Sequence, residues 1–184
     1  MKWYRYLLTI TAALLITLPL PSGASHCDAE TWNHALKLQQ ALDTQYNQHA
    51  KRFNQFLTFH REQPFLYQEF SRNEIRSFWQ SNKQTLHKSM QGQIAASQQV
   101  VEAIEQERKT LNPLLDNAST LHQQWRRISQ HCQKIDNQSN TIASWNYAQL
   151  NKLLIKQIQQ LDEKLALLQQ RYQNEVRALE DARQ

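Results

Sequence analysis

The sequence contains very little glycine, since only Gly23 and Gly92 occur among its 184 residues. Proline is also scarce, and two of its four residues, Pro19 and Pro21, stand near the N-terminus. Sheets and tight β-hairpins need such turn residues. Good helix formers dominate instead, and glutamine alone accounts for about one residue in seven. The composition therefore predicts an all-α protein.

Motifs that carry known enzyme chemistry are missing as well. There is no glycine-rich phosphate loop, no His-Glu-x-x-His zinc motif and no nucleophile elbow. His49 and His60 fall on the apolar face of a predicted helix, where a hydrogen-bonded core histidine is the simpler interpretation. We therefore predict a protein that is not an enzyme, with no cofactor and no metal site.

A concentrated excess of charge is also lacking. The formal net charge is +5, and it falls to +3 once Lys2 and Arg5 are removed with the N-terminal segment. A dedicated nucleic-acid binder is expected to carry a dense basic face. The basic residues between Lys37 and Lys88 are more simply a solvated helix face. The charge pattern thus argues against nucleic acid as a partner.

The one long apolar run in the sequence is Leu7–Leu18. Basic residues precede it, and Pro19, Pro21 and small residues follow it, which is the pattern of a cleaved export signal. The alternative is an uncleaved membrane anchor, but the run is shorter than the roughly 20 residues that span a bilayer. We predict a signal peptide over 1–24 and a single all-helical domain over 25–184, located in the periplasm or secreted.

The longest helical pattern covers about Ser144–Ala182. Its apolar residues recur in steps of three and four, which places them on one stripe of a helix. The members of this stripe are Leu150, Leu154, Ile158, Leu161, Leu165, Leu168, Tyr172, Val176 and Leu179. A helix this long cannot bury its stripe alone, so we expect it to pack along helices of similar length.

A first helix is predicted to begin at Asp28 or Thr31, either of which is a suitable cap. Its stripe keeps a seven-residue repeat, with Gln39, His49 and His60 at some of the core positions. Polar residues at such positions weaken the packing of helices but help to fix their register.

Pro64 interrupts or kinks this first helix. Ser71 and Glu74 match a capping box, which predicts that a helix restarts there. The sequence therefore allows two positions for the turn at which the chain reverses, one over 63–71 and the other over 80–83.

A second long stripe runs from Leu86 to Ile135 and crosses Pro113 without losing phase. Asn112 followed by Pro113 is also a good helix start. The sequence does not choose between one kinked helix and two helices here. The polar segment 136–140 is predicted to be the loop that leads into the last helix.

The two cysteines, Cys27 and Cys132, limit the topology if they form a disulfide, as paired cysteines of exported proteins usually do. In a hairpin with two equal arms, bonded residues are equally far from the turn. Their midpoint falls between residues 79 and 80, which favours the turn at 80–83. A turn at 63–71 would leave the bond intermolecular or absent.

Each cysteine follows a histidine, at His26–Cys27 and His131–Cys132. Four such residues are the ligand types of a structural zinc site. However, adjacent residues of a helix point about 100° apart, which makes joint chelation awkward. We therefore interpret the pair as a structural disulfide.

The stretch Phe53–Trp79 is rich in aromatic residues interleaved with arginines. In the hairpin it would form the end far from the disulfide, where such a composition is typical of a protein-binding or membrane-touching surface. The alternative is that the rings pack this end around Pro64. The predicted contact residues are Phe65, Tyr67, Phe70, Phe78, Trp79, Arg72 and Arg76.

The pattern as a whole predicts an elongated antiparallel helical bundle, a coiled-coil hairpin with a long C-terminal helix beside it. We expect an exported structural or adaptor protein of the cell envelope that acts by binding other proteins. The alternative is a periplasmic chaperone-like holdase for unfolded clients. The sequence is also compatible with a homo-oligomer, because apolar residues such as Leu153, Ile155 and Leu167 flank the last stripe.

Overall fold

The structure, a computed structural model, describes residues 27–184, and the predicted signal peptide lies outside them. These residues form five helices and no strand, which confirms the all-α prediction. The helices are α1 (Ala29–Arg61), α2 (Leu66–Glu69), α3 (Arg72–Gln80), α4 (Gln84–Lys134) and α5 (Gln138–Arg183).

Helix α1 starts where the sequence predicts a cap. The Asp28 carboxylate accepts a hydrogen bond of 2.7 Å from the Thr31 amide and a second from its hydroxyl. These bonds lower the pKa of Asp28, because they stabilise its charged form. Two of the predicted polar stripe residues, Gln39 and His49, are buried in α1.

Helices α1 and α4 run antiparallel, with the turn between Gln80 and Gln84. Cys27 and Cys132 form the predicted disulfide, with their Cα atoms 5.2 Å apart, and the turn lies where the midpoint between the two cysteines places it. Pro64 ends α1 without reversing the chain. Its carbonyl accepts a hydrogen bond of 3.0 Å from the Gln93 side chain on α4, so the first arm continues past it.

Helix α4 passes through Pro113 without a break, so the chain forms one helix there and not two. The proline side chain is exposed, whereas Leu111 and Leu114 beside it are buried. The stripe predicted for this helix ends too late, since Ile135 is 55% exposed.

Helix α5 begins six residues earlier than expected. Asn137 caps it by accepting a hydrogen bond from the Asn140 amide, so most of the predicted loop 136–140 is helical. The predicted stripe is correct from Leu154 to Tyr172 and at Leu179, but Val176 is only half-buried and the first member of the stripe is wrong. Leu150 is 56% exposed, and the neighbouring Asn151 is buried in its place.

The bundle has two cores, one enclosed mainly by the three long helices and the other by α3, α4 and α5. The larger one extends from the disulfide past the middle of the bundle, and near the disulfide Trp125 stacks on Tyr147 at 4.6 Å and meets the edge of Trp32. The smaller core lies at the opposite end, which we call the distal end. It consists of Ile75, Met90, Ile94, Leu179 and Ala182.

No helix within residues 27–184 is both long enough and apolar enough to cross a membrane.

Candidate functional site

The start of α2 is held by a carboxylate from the far end of the sequence. Glu175 is completely buried, and its two oxygens accept hydrogen bonds of 3.0 and 3.1 Å from the amides of Leu66 and Tyr67. Gln93 donates a further bond of 3.1 Å to the same carboxylate. The residue at the N-cap position, Phe65, has no side-chain oxygen to cap these amides, so Glu175 replaces the local cap.

Helix α3 has its own cap, as predicted. The Ser71 hydroxyl accepts a hydrogen bond from the Glu74 amide, and Glu74 accepts one of 2.8 Å from the Ser71 amide. The Ser71 hydroxyl also donates a bond of 2.7 Å to the Glu74 carboxylate, and this bond, followed by the one from the Ser71 amide, lowers the pKa of Glu74. The backbone at the distal end is therefore fixed at the start of α2 and at the start of α3.

Phe65 does not belong to a contact surface, contrary to the prediction. It is 5% exposed, and its ring packs against Tyr172 at 5.0 Å and His60 at 5.3 Å. Burial raises the pKa of Tyr172 and, together with the charge of Arg171, lowers the pKa of His60. The three rings pack against one another beside the start of α2.

Trp79 also has a structural role. Its indole nitrogen donates a hydrogen bond of 2.9 Å to the Leu179 carbonyl, which lies near the end of α5. The Arg183 guanidinium covers the ring at 5.4 Å, and the His87 ring lies 5.7 Å away. Trp79 thus ties α3 to α5.

Three of the predicted residues, Tyr67, Phe70 and Arg72, come together around one cleft of about 270 Å³. We call it the distal cleft; its lining is completed by Ile75, Ala178 and Asp181. Phe70 is 38% exposed and rests with its edge on Phe78 at 5.1 Å. Arg76 is half-buried on α3 and does not line the cleft.

The lining of the distal cleft combines apolar surface with charges of both signs. Ile75 is 1% exposed, while Arg72 and Asp181 are the charged members of the lining. Small-molecule sites usually have volumes of about 300–1,000 Å³. The cleft is below that range, and its size suits one large side chain of a protein partner with a polar neighbour.

A second apolar groove lies between α1 and α4. Phe56, Phe59 and Val100 line it together with polar residues, and Phe59 is 47% exposed. Arg52 stands at its edge, but its guanidinium is bound by Glu107 at 2.7 Å. The predicted aromatic stretch includes Phe56 and Phe59, yet neither was among the predicted contact residues.

One buried and one half-buried ionic contact between helices were not recognised from the sequence. Glu107 is 8% exposed and lies 2.5 Å from the Nδ1 atom of His49 on α1. One residue further along α4, Arg108 forms a two-pronged ion pair with Asp162 on α5, and this raises the pKa of Arg108. Adjacent residues of α4 therefore contact different neighbouring helices.

Within residues 27–184, no group of three or more histidine, cysteine, aspartate or glutamate side chains is arranged to hold a metal ion. His26, one member of the zinc alternative, lies outside these residues. The disulfide fits a protein of an oxidising compartment outside the cytoplasm.

Comparisons of the chain with protein-family models, curated proteins and solved structures found no match.

Proposed function

We propose that the protein is a non-enzymatic adaptor of the cell envelope, exported to the periplasm or secreted, which binds another protein through its distal cleft. The observation that carries this proposal is the exposure of Phe70. The neighbouring rings of Phe65 and Trp79 are used in packing, whereas Phe70 remains 38% exposed beside Arg72.

The chemistry of the cleft supports a protein partner. Aromatic and arginine side chains are enriched at the centres of protein interfaces and contribute much of their binding energy. Tyr67, Phe70 and Arg72 provide such a group on a small area. Asp181 on the same lining offers a site for a partner's cation.

The cleft is also well prepared for binding, because its walls are fixed before a partner arrives. Glu175 holds the backbone at Tyr67, and the capping box holds the backbone on the other side of Phe70. Binding to a rigid surface loses less conformational entropy than binding to a mobile one.

A photoreactive amino acid at position 70 tests this proposal inside the cell. The same amino acid at position 59 is the matched control, because Phe59 is similarly exposed but lies in the α1–α4 groove. We expect position 70 to capture one dominant envelope protein that mass spectrometry identifies and that position 59 does not capture.

The captured protein should then bind the purified bundle at a one-to-one ratio. Phe70→Ala and Arg72→Ala should each weaken this binding by about tenfold or more, as expected for central interface residues. Phe59→Ala should leave it unchanged. An unaltered affinity in both cleft variants, with native circular dichroism, would contradict the proposal.

The α1–α4 groove favours a second candidate, a holdase for unfolded clients. Its exposed ring of Phe59 lies apart from the distal cleft, so the molecule offers more than one apolar surface. A holdase should suppress the aggregation of an unrelated unfolded protein, and Phe59→Ala should reduce that effect. Capture of many different envelope proteins from both positions would favour this candidate over the adaptor.

A further inference from the structure

Helix α5 exposes a second apolar face near the disulfide. Ile142, Trp145, Leu150 and Leu153 are between 50% and 62% exposed, although all four are large apolar residues. We call these four residues the α5 outer face. Exposed apolar residues that occur singly need no explanation, but a contiguous group on one element marks an interaction surface.

The α5 outer face points away from the bundle. On the same segment of α5, Ala148, Asn151 and Leu154 are buried in the core. This segment of α5 thus has one side packed into the core and another side that exposes large apolar residues. At about 1.5 Å per residue, the exposed residues extend over roughly 17 Å of the helix.

The charge on this segment has a single sign. From Asn137 to Leu161 the chain contains no aspartate or glutamate, and its only charged residues are Lys152 and Lys156. Both lysines are exposed, and they line one shallow depression together with Leu153. An anionic surface therefore complements this face.

A second copy of the chain complements it poorly. A symmetric pairing centred on Leu153 would bring Lys152 and Lys156 close to the same residues of the other copy. No carboxylate on this segment could neutralise them. Like charges held close together in this way are destabilising.

The position of the face in the chain favours a membrane as the anionic surface. The apolar run Leu7–Leu18 shortly precedes Cys27 in the sequence. Cys27 belongs to the same end of the bundle as the face, because its sulfur lies 3.8 Å from the Asn140 side chain in the first turn of α5. Until the predicted signal peptide is cleaved during export, it therefore keeps the end of the bundle that carries this face next to a membrane.

We propose that the α5 outer face docks on an anionic lipid surface. Tryptophan is enriched at the level of lipid headgroups, where the ring is partly apolar and partly hydrated. Trp145 occupies that level, Ile142 and Leu153 enter the acyl boundary, and Lys152 and Lys156 lie against the headgroups. This contact is separate from the distal cleft, so the protein would bind a membrane at one end and a protein at the other.

The test measures how much of the exported protein sediments with each of two kinds of vesicle. The N-terminus of the protein is first determined by intact mass. One kind contains phosphatidylcholine alone, and the other contains an equal share of phosphatidylglycerol. We expect at least about tenfold stronger partition into the anionic vesicles, and a decline as salt is raised. Brominated lipids should quench the fluorescence of Trp145, seen as the difference between the wild type and Trp145→Gln.

Exposed positions allow variants that leave the core intact. The double variant Trp145→Gln, Leu153→Gln should weaken partition into anionic vesicles by about tenfold or more, because two apolar side chains no longer leave water. The double variant Lys152→Gln, Lys156→Gln should lose the preference for anionic vesicles. Leu167→Gln is the matched control, since Leu167 is 68% exposed on the same helix beside Glu163, and it should bind like the wild type.

Three results would overturn the proposal. The first is that the wild type does not partition into anionic vesicles. The second is that the wild type and the Trp145→Gln, Leu153→Gln double variant partition equally. The third is that the wild type forms a dimer in light scattering and that Trp145→Gln dissociates it. The last result would assign the α5 outer face to a second copy of the chain. A failure of the crosslinking experiment at position 70 would not alter any of these results.

Discussion

At the disulfide end of the bundle, long helices are joined by a covalent bond and by the packed rings of Trp32, Trp125 and Tyr147. At the distal end, short helices are attached to α5 by a small apolar core and by polar contacts from single residues. Glu175 holds the start of α2, and Trp79 holds α3. The two ends are therefore held differently: a covalent bond reinforces the packing at one end, and a few hydrogen bonds reinforce a smaller core at the other.

Loss of the disulfide should have the largest effect. The bond closes a loop between residues 105 positions apart, so its removal should lower the free energy of unfolding by about 4–5 kcal/mol on the chain-entropy argument. The double variant Cys27→Ala, Cys132→Ala in urea unfolding measures this. Hydrogen exchange should increase at the start of α1 while the amides of Leu66 and Tyr67 stay protected. Reduced wild type is the control, and equal stability of the reduced and oxidised proteins would contradict this prediction.

Glu175→Ala should have the next largest effect, and it should act on the opposite end. The change leaves two backbone amides without an acceptor and removes one of the two acceptors of the Gln93 side chain, which should cost about 3 kcal/mol. Hydrogen exchange should increase over 65–80 and remain low around the disulfide.

Glu180→Ala is the control for this change, because Glu180 is an exposed carboxylate on the same helix. It should leave exchange over 65–80 unchanged. Uniform loss of protection at both ends in Glu175→Ala would show that the two ends unfold together, and the contrast between them would then fail.

Trp79→Phe should have a smaller effect at the distal end. The phenyl ring keeps most of the packing but cannot donate to the Leu179 carbonyl, so the expected loss is about 1 kcal/mol. Thermal or urea unfolding measures it. Trp145→Phe on the exposed face of α5 should change stability by less than that, and the reverse order of the two variants would disprove the structural role of Trp79.

Acid should weaken the distal end by the smallest amount. The pKa of His60 is lowered by burial and then by Arg171, so the unfolded chain takes up this proton more readily than the folded one. Stability is therefore full above the ordinary histidine pKa of about 6.5 and declines as the pH falls through and below it. His60→Gln should remove this part of the pH dependence, and an NMR titration of His60 at or above 6.5 would refute it.

The hairpin itself could be predicted from the sequence, because two cysteines with a given separation fix where the turn must lie. The capping box at Ser71 was also predictable, since all of its partners lie within four residues. The register of α5 was recognised from Leu154 onward for the same reason, as apolar spacing along one helix is a local signal.

The buried carboxylates could not be predicted, because their partners lie on other helices or in other segments of the chain. Glu175 stands beside Val176, and both positions fit a stripe that passes through Tyr172 and Leu179. Apolar preference selects Val176, yet Glu175 is the buried one. Only the amides of Leu66 and Tyr67, more than a hundred residues away, make that burial favourable.

The same difficulty explains why the distal contact residues were only partly identified. The aromatic content of Phe53–Trp79 was visible, but whether a ring faces solvent depends on how the chain leaves Pro64. The structure turns Phe65 inward onto Tyr172 and leaves Phe70 at the surface. Composition alone does not separate these two residues.

The dependence of α2 on Glu175 also sets an order of events during synthesis. A chain is made from its N-terminus, and its earlier parts fold first. Both cysteines are complete once residue 132 has been added, whereas the amides of Leu66 and Tyr67 wait for an acceptor that is added more than forty residues later. The end that carries the distal cleft is thus the last part of the bundle to be completed, and a nascent chain does not present the finished cleft until Glu175 has been added.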